Sequence, residues 1–301
     1  MQLLQSFSNA VAQLTDKISP SVVHIDAGEA GGTGIVWSID GYIVTASHVV
    51  GEAETSRVIF NDGRELEGKL VGADTYSDVA VLRVASAGLT PIPRGEVEDV
   101  RVGQFALALA NSFGRQVSAT SGIITSRGRN VRGWHGIMIE EAIVSDAKLN
   151  PGYSGGPVVD ASGKMLGMNV AHFAGRGIAV PVDSLAEVVE TLSRDGRMRK
   201  AFLGVVIEPM KLPEELAGTE DVDQEWGLLV RSVEKGSAAK VAGVAIGDII
   251  LRFGDARVVD EYKLHKALSR EAIGKTVSLW VLRGEKLTEL KVVPNEVDKQ
   301  K

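Results

Sequence analysis

Between Val22 and Val170 the chain is cut by Gly, Asn and Asp into short β-branched runs, and this punctuation restricts the fold more than any other feature. Val22–Ile25, Ile35–Trp37, Val58–Phe60, Val79–Val84, Phe105–Leu109, Ile137–Ile139 and Met165–Val170 read as strands. Many short strands with frequent turn signals build a barrel or a sandwich, because a closed or stacked sheet gives each strand a face to bury. Helical spacing flanks this region. Val11, Leu14 and Ile18 predict a short amphipathic helix over residues 9–18. Ser184 with Glu187 three residues on reads as a capping box opening a second helix. Leu185, Val188, Val189 and Leu192 would form its apolar face, and Gly196 suits its end. The basic stretch from Arg194 to Lys200 reads as a solvated linker face.

With 301 residues the chain can build two or three cores. An apolar fraction of 44% and a charged fraction of 24% fit a soluble globular protein. The net charge of −6 argues against nucleic acid as a partner, since phosphate contacts need a basic surface. Without cysteine there is no disulfide, thiolate metal site or cysteine nucleophile. The five histidines are scattered and no His-Glu-x-x-His run occurs, so neither metal nor other cofactor is expected. Gly63 to Leu70 imitates a phosphate-binding loop, but Leu70 replaces the hydroxyl residue and Glu65 and Glu67 would repel phosphate. With Asn61-Asp62-Gly63 in front, it reads as a hairpin. The first residues lack the basic and apolar regions of a signal peptide, and no stretch approaches the ~18 apolar residues of a membrane span. The expectation is a cytoplasmic chain, or an exported one whose export segment is missing.

Ser154 sits in Asn150-Pro151-Gly152-Tyr153-Ser154-Gly155-Gly156-Pro157, with His48 and Asp78 upstream. A lone serine hydroxyl is a poor nucleophile; it needs an imidazole to take its proton and a carboxylate to fix that imidazole's tautomer. His48 falls just past the strand former Ile43-Val44, and Asp78 stands at the mouth of the apolar run Val79–Val84. The glycines allow a tight turn and leave backbone N–H groups free for an oxyanion, with Gly152 and Ser154 as the donors. Singly, the three have plainer readings as a core histidine, a strand-end cap and an ordinary turn. Their joint order and settings favour catalysis.

The segments Thr45–Val50, Ser77–Leu82 and Asn150–Pro157 resemble the catalytic elements of the HtrA/Deg family of chymotrypsin-like serine proteases. Ser19–Ile25, Gly32-Thr33-Gly34, Val102-Gly103, Asn111–Gly114 and Thr120–Ile124 extend the resemblance over nearly the whole chain. It implies His48, Asp78 and Ser154 as the triad and a mainly β fold, with paired barrels and a cleft between them. Phe202–Val205, Gly236–Ala239, Ala242-Gly243 and Gly247–Ile250 resemble a PDZ domain, a small α+β unit that takes C-terminal peptides as an added strand. By that resemblance Phe202, Leu203, Gly204 and Val205 form the carboxylate loop. Leu264 and Leu268, four apart on a helix over Asp260–Arg270, would line the groove's second wall.

The implied order is an N-terminal helical segment over 1–18, a protease domain over 19–183, a helical linker over 184–200 and a PDZ domain over 201–301. The implied function is an ATP-independent serine endopeptidase acting on unfolded or damaged polypeptides. A homotrimer would assemble through the N-terminal segment, where Phe7, Val11, Leu14 and Ile18 supply apolar groups. The alternative is a peptide-binding chaperone or adaptor with an inactive protease domain. Tyr153 keeps it open, standing where the family usually has asparagine. Two further departures are Ser112, in place of a proline, and Lys148, on a loop that walls the specificity pocket. His172 lies on a second wall of that pocket.

Overall fold

A computed structural model of the chain describes residues 2–28, 31–132, 138–173, 176–213, 222 and 224–296. The chain divides into two compact units, Met1–Met198 and Arg199–Lys301. In the first, helix α1 (Gln2–Ile18) precedes β1 (Val22–Asp26), β2 (Gly31–Val36) and β3 (Tyr42–Thr45). A single helical turn α2 (Ser47–Val50) leads to β4 (Thr55–Ile59), β5 (Glu65–Asp74) and β6 (Val79–Val84). These six strands close an antiparallel barrel in the order β1-β2-β3-β6-β5-β4. A second barrel follows: β7 (Phe105–Ala110), β8 (Ser118–Arg132), β9 (Met138–Ser145), β10 (Pro157–Val159), β11 (Met165–Phe173) and β12 (Arg176–Pro181). Its order is β10-β11-β12-β9-β8-β7. Closure removes the free edges that short strands would expose. Ile137, expected in a strand, lies outside the described residues.

Residues Asn61-Asp62-Gly63 make the hairpin between β4 and β5, with Gly63 at φ +88° and its N–H bonded to the Phe60 carbonyl. On β7 both faces are buried. Leu107 and Leu109 join the main core, and Ala106, Ala108 and Ala110 join two smaller clusters on the other side. Apolar-polar alternation is therefore absent from that strand.

Two helices pack on the barrels. Helix α1 starts at Gln2 rather than near residue 9, and Leu14 and Ile18 enter the main core while Val11 packs partly against it. Burying two such side chains contributes about 3–6 kcal/mol, enough to hold a helix that would be marginal alone. The helix α3 (Val182–Asp195) begins without the expected capping box. Extended Pro181 is its N-cap, which leaves Ser184 inside the first turn. Leu185, Val189 and Leu192 lie in the barrel core.

The strands of the second unit are β13 (Ala201–Phe202), β14 (Val205–Lys211), β15 (Trp226–Val233), β16 (Ile249–Phe253), β17 (Ala256–Arg257, beside β16), β18 (Val277–Arg283), β19 (Lys286–Val292) and β20 (Asn295–Glu296). They form a sheet ordered β14-β15-β16-β18-β19, with a separate pair β13 and β20. Helices α4 (Ala238–Val241) and α5 (Glu261–Ala267) complete it. Its core unites Leu228, Val230, Ile250, Leu279 and Val281 with Ala239 and Leu264. Helix α5 stops at Ala267 rather than running to Arg270, because Leu268 turns to ψ 50° and its carbonyl accepts the Ala201 N–H.

Candidate active site

The first barrel positions His48 and Asp78. Strand β3 ends at Thr45 and α2 starts at once, so His48 leaves the barrel rim with its side chain 44% exposed. Asp78, fully buried, precedes β6 in a left-handed backbone conformation with φ +57°. That conformation costs a non-glycine residue about 1–2 kcal/mol. Four hydrogen bonds offset it. The Asp78 Oδ1 accepts from Ser47 Oγ at 2.8 Å and from the His48 N–H at 3.0 Å, and the Asp78 carbonyl accepts the Ser47 N–H at 3.2 Å. Oδ2 faces His48 Nδ1 at 2.6 Å. A carboxylate so placed is an acceptor, so Nδ1 carries the proton and neutral His48 has an unprotonated Nε2. The buried partner makes this bond short and charge-assisted.

The second barrel positions Ser154, on the loop between β9 and β10. This loop lies against β2. A Cβ on Gly155 (φ +83°) would come within 2.0 Å of the Thr33 carbonyl oxygen and 2.4 Å of Thr45 Oγ1, so only glycine fits. A Cβ on Gly32 would meet Val49, next to His48, at 2.7 Å and the Ser154 carbonyl oxygen at 3.0 Å. The nucleophile loop and the histidine turn thus converge on β2. The Thr33 N–H donates to the Ser154 carbonyl at 2.9 Å, and Ser154 Oγ is part-buried, 3.5 Å from the Val170 carbonyl oxygen. Among the described residues, the N–H groups of Gly152 and Ser154 have no acceptor.

Thr33 carries more of this loop than sequence reasoning found. Its fully buried hydroxyl accepts the Asn111 N–H at 3.0 Å and donates to the Gly152 carbonyl at 2.6 Å. Only its place in Gly32-Thr33-Gly34 hinted at a role, since its partner lies far along the chain.

The Tyr153 ring is buried at 2% exposure among Ala108, Ala110, Ala147 and Leu149. Burial pushes its phenol up from the ordinary value, with the Thr120 hydroxyl opposing. The small residues of β7 make room for the ring, so it need not enter the space before the Gly152 and Ser154 N–H groups. Lys148 is exposed. His172 pairs with Gly177 through its backbone, and its side chain lies outside the described residues.

In the second unit Gly204 has φ +77°, and a Cβ there would lie 2.2 Å from that of Ser237. The Leu203 and Gly204 carbonyls accept from the Ala239 and Glu234 N–H groups. Among the described residues, the Leu203 and Gly204 N–H groups donate to nothing. Val205 starts edge strand β14, Phe202 is 38% exposed and Leu268 is half-buried. Leu264 is 2% exposed in the core, so a peptide would meet it as floor rather than wall.

A trypsin-like peptidase domain model matches residues 32–168, and a PDZ domain model matches residues 201–293. A probable periplasmic serine endoprotease, DegP-like, of Chlamydia trachomatis is 34% identical over 272 residues, 88% of this chain and 54% of the relative. One of the same name from Halomonas elongata is 36% identical over 277 residues, 90% of this chain and 57% of the relative. The chain thus spans about half the length of these curated relatives. Among solved structures, the HtrA-type protease AlgW with tripeptide matches with TM-score 0.81 and 30% identity, covering 95% of this chain and 97% of that one. The serine endoprotease from Yersinia pestis matches with TM-score 0.78 and 28% identity, covering 95% and 98%.

Proposed function

The chain belongs to the HtrA-type serine proteases, and from that membership we propose that it is an ATP-independent endopeptidase degrading unfolded or damaged polypeptides. Ser154 attacks the scissile carbonyl, and His48 takes its proton and returns it to the leaving amine. Asp78 orients His48 and stabilises the imidazolium. The Gly152 and Ser154 N–H groups hold the oxyanion. The observation that carries this reading is the 2.6 Å contact between His48 Nδ1 and a carboxylate with no exposure, which reserves Nε2 for the serine proton. The adaptor reading rested on Tyr153, and its buried ring removes that support. Digestion of unfolded casein is the test. Ser154→Ala should leave the melting temperature unchanged and lower the rate by about 10⁴-fold or more. Undiminished digestion by that variant would end the assignment.

Peptide recognition follows from β14. An extended peptide would add along this edge, its C-terminal carboxylate on the Leu203 and Gly204 N–H groups, with Phe202, Val205 and Leu268 beside it and Leu264 beneath. A peptide with a free carboxylate should bind more tightly than its amidated form by isothermal titration. Equal affinities would rule out this loop as the carboxylate site.

The chain is also proposed to form a homotrimer. Leu4, Phe7, Val11, Leu14 and Ile18 continue one stripe at alternating spacings of three and four. Its inner end is in the core, and Phe7 and Leu4 are 56% and 74% exposed. The Phe7 ring rests edge-to-face on Phe105 of β7, centroids 6.0 Å apart. The surface that it and Leu4 leave exposed is proposed as the face for a neighbouring copy, and Leu4→Glu with Phe7→Glu should give a monomer by light scattering. An unchanged particle mass would refute this assembly. No described helix is long and apolar enough to cross a membrane. The relatives' names favour an extracytoplasmic site of action.

A further inference from the structure

We propose that Ser112 is a positioning residue, whose hydroxyl fixes the peptide group that presents the Gly152 N–H to the reacting carbonyl. This rests on the catalytic reading above and adds a residue which that reading does not use. The turn Asn150-Pro151-Gly152-Tyr153 is closed by the Tyr153 N–H donating to the Asn150 carbonyl at 3.1 Å, with Gly152 at φ +88°. Proline at its second position excludes the turns that need a positive φ there, which leaves type II. Type II has a close alternative. Rotating the central peptide by roughly 180° gives type I with the ends of the turn in place. Here the central peptide joins Pro151 to Gly152. In a trans peptide the C=O and N–H point opposite ways, so whatever holds the Pro151 carbonyl also sets the direction of the Gly152 N–H.

Ser112 Oγ is that holder, donating to the Pro151 carbonyl at 3.2 Å. Every other carbonyl from Asn150 to Ser154 is held by a backbone N–H or by the buried Thr33 hydroxyl. Tyr153 N–H serves Asn150, Thr33 Oγ1 serves Gly152, Gly156 N–H serves Tyr153, and Thr33 N–H serves Ser154. The Pro151 carbonyl alone in this run depends on a half-exposed side chain. The loop also rests on that residue, since a Cβ at Gly152 would come within 2.5 Å of Ser112 Oγ and 2.6 Å of its Cβ. The softest support therefore lies under one of the two oxyanion donors, and Ser112 provides it.

Valine and threonine are nearly equal in shape and differ in the hydroxyl, so Ser112→Val and Ser112→Thr separate hydrogen bonding from packing. Both full-length variants are measured for kcat and KM on a short peptide substrate, for inhibition by a peptide boronic acid that mimics the tetrahedral intermediate, and for melting temperature. Ser112→Val should lower kcat about tenfold with KM nearly unchanged, and weaken the boronic acid by a similar factor. Ser112→Thr should behave like the parent, and neither should melt differently. Equal kinetics for the two variants would overturn the proposal. If Ser112→Val also melts lower, its crystal structure decides: an unchanged Pro151 carbonyl and Gly152 φ refute the role, and a rotated peptide supports it. A parent enzyme as inert as Ser154→Ala would instead sink the catalytic reading, and the same crystal comparison would still judge Ser112.

Discussion

The two barrels hold the groups assigned to catalysis by different means. In the first, a buried carboxylate gathers Ser47, the His48 backbone and the His48 ring on its own oxygens. In the second, the hydrogen bonds described for the carbonyls from Asn150 to Ser154 all come from uncharged groups. The Ser154 loop is fixed carbonyl by carbonyl, through Thr33, Ser112 and its own backbone, and glycines allow close approach to β2. The contrast follows from the two tasks. A base needs one tautomer and a partner for its positive charge, which a buried carboxylate supplies. An oxyanion site needs N–H groups aimed in advance and occupied by nothing else, which backbone held through its carbonyls supplies.

The sharpest way to break the first arrangement is Asp78→Asn. Oδ1 faces two donors, Ser47 Oγ and the His48 N–H, so the oxygen of an asparagine must take that place. Its NH₂ would then face Nδ1, force the ring to accept there and put the proton on Nε2, the wrong tautomer for a base. The kcat should fall by about 10⁴-fold while the fold stays intact. A loss below tenfold in steady-state kinetics would show that tautomer control lies elsewhere.

Thr33→Val tests the second arrangement at its best-buried point. It leaves the Asn111 N–H and the Gly152 carbonyl without their partner, so stability should fall by about 2 kcal/mol in urea unfolding. Because Gly152 is an assigned oxyanion donor, kcat should also drop by about a hundredfold, as for loss of one such donor. Thr33→Ser should restore both. A stability loss with unchanged kcat would mean that the loop tolerates the missing anchor.

Sequence reading recovered what local chemistry encodes. The strands around Val79 and Phe105, the hairpin at Asn61-Asp62-Gly63 and the setting of His48 past a strand end all follow from short-range patterns. The reading was less complete where distant parts of the chain decide. Helix α1 begins near residue 2 because the stripe from Ile18 through Val11 extends to Leu4, a periodicity diluted by Ser6, Ser8 and Asn9. Ser184 looks like a cap, but Pro181 has already taken that place as β12 ends. The supports of the Ser154 loop were the least legible. Thr33 and Ser112 reach Gly152 and Pro151 across long stretches of chain, and their identity alone does not announce it. Nothing local to Tyr153 shows that its ring has room, because the space comes from Ala108 and Ala110 of β7, some forty residues earlier.

Ser47→Ala gives the smallest effect and the cleanest comparison with Thr33. Both residues use a buried hydroxyl, yet the groups they serve differ in what remains after its removal. Asp78 keeps the His48 N–H on Oδ1, the imidazole on Oδ2 and a carbonyl bonded to the Ser47 N–H, which alanine preserves. The Gly152 carbonyl has the Thr33 hydroxyl as its only partner among the described residues. Redundant support in the first barrel should therefore limit the Ser47→Ala loss to about threefold in kcat, with KM unchanged. Its stability cost should be about 1 kcal/mol, the net worth of one hydrogen bond to a carboxylate that keeps its other donors. A loss as large as that of Thr33→Val would mean that Asp78 depends on each of its donors, and that the two barrels hold their groups with equal economy.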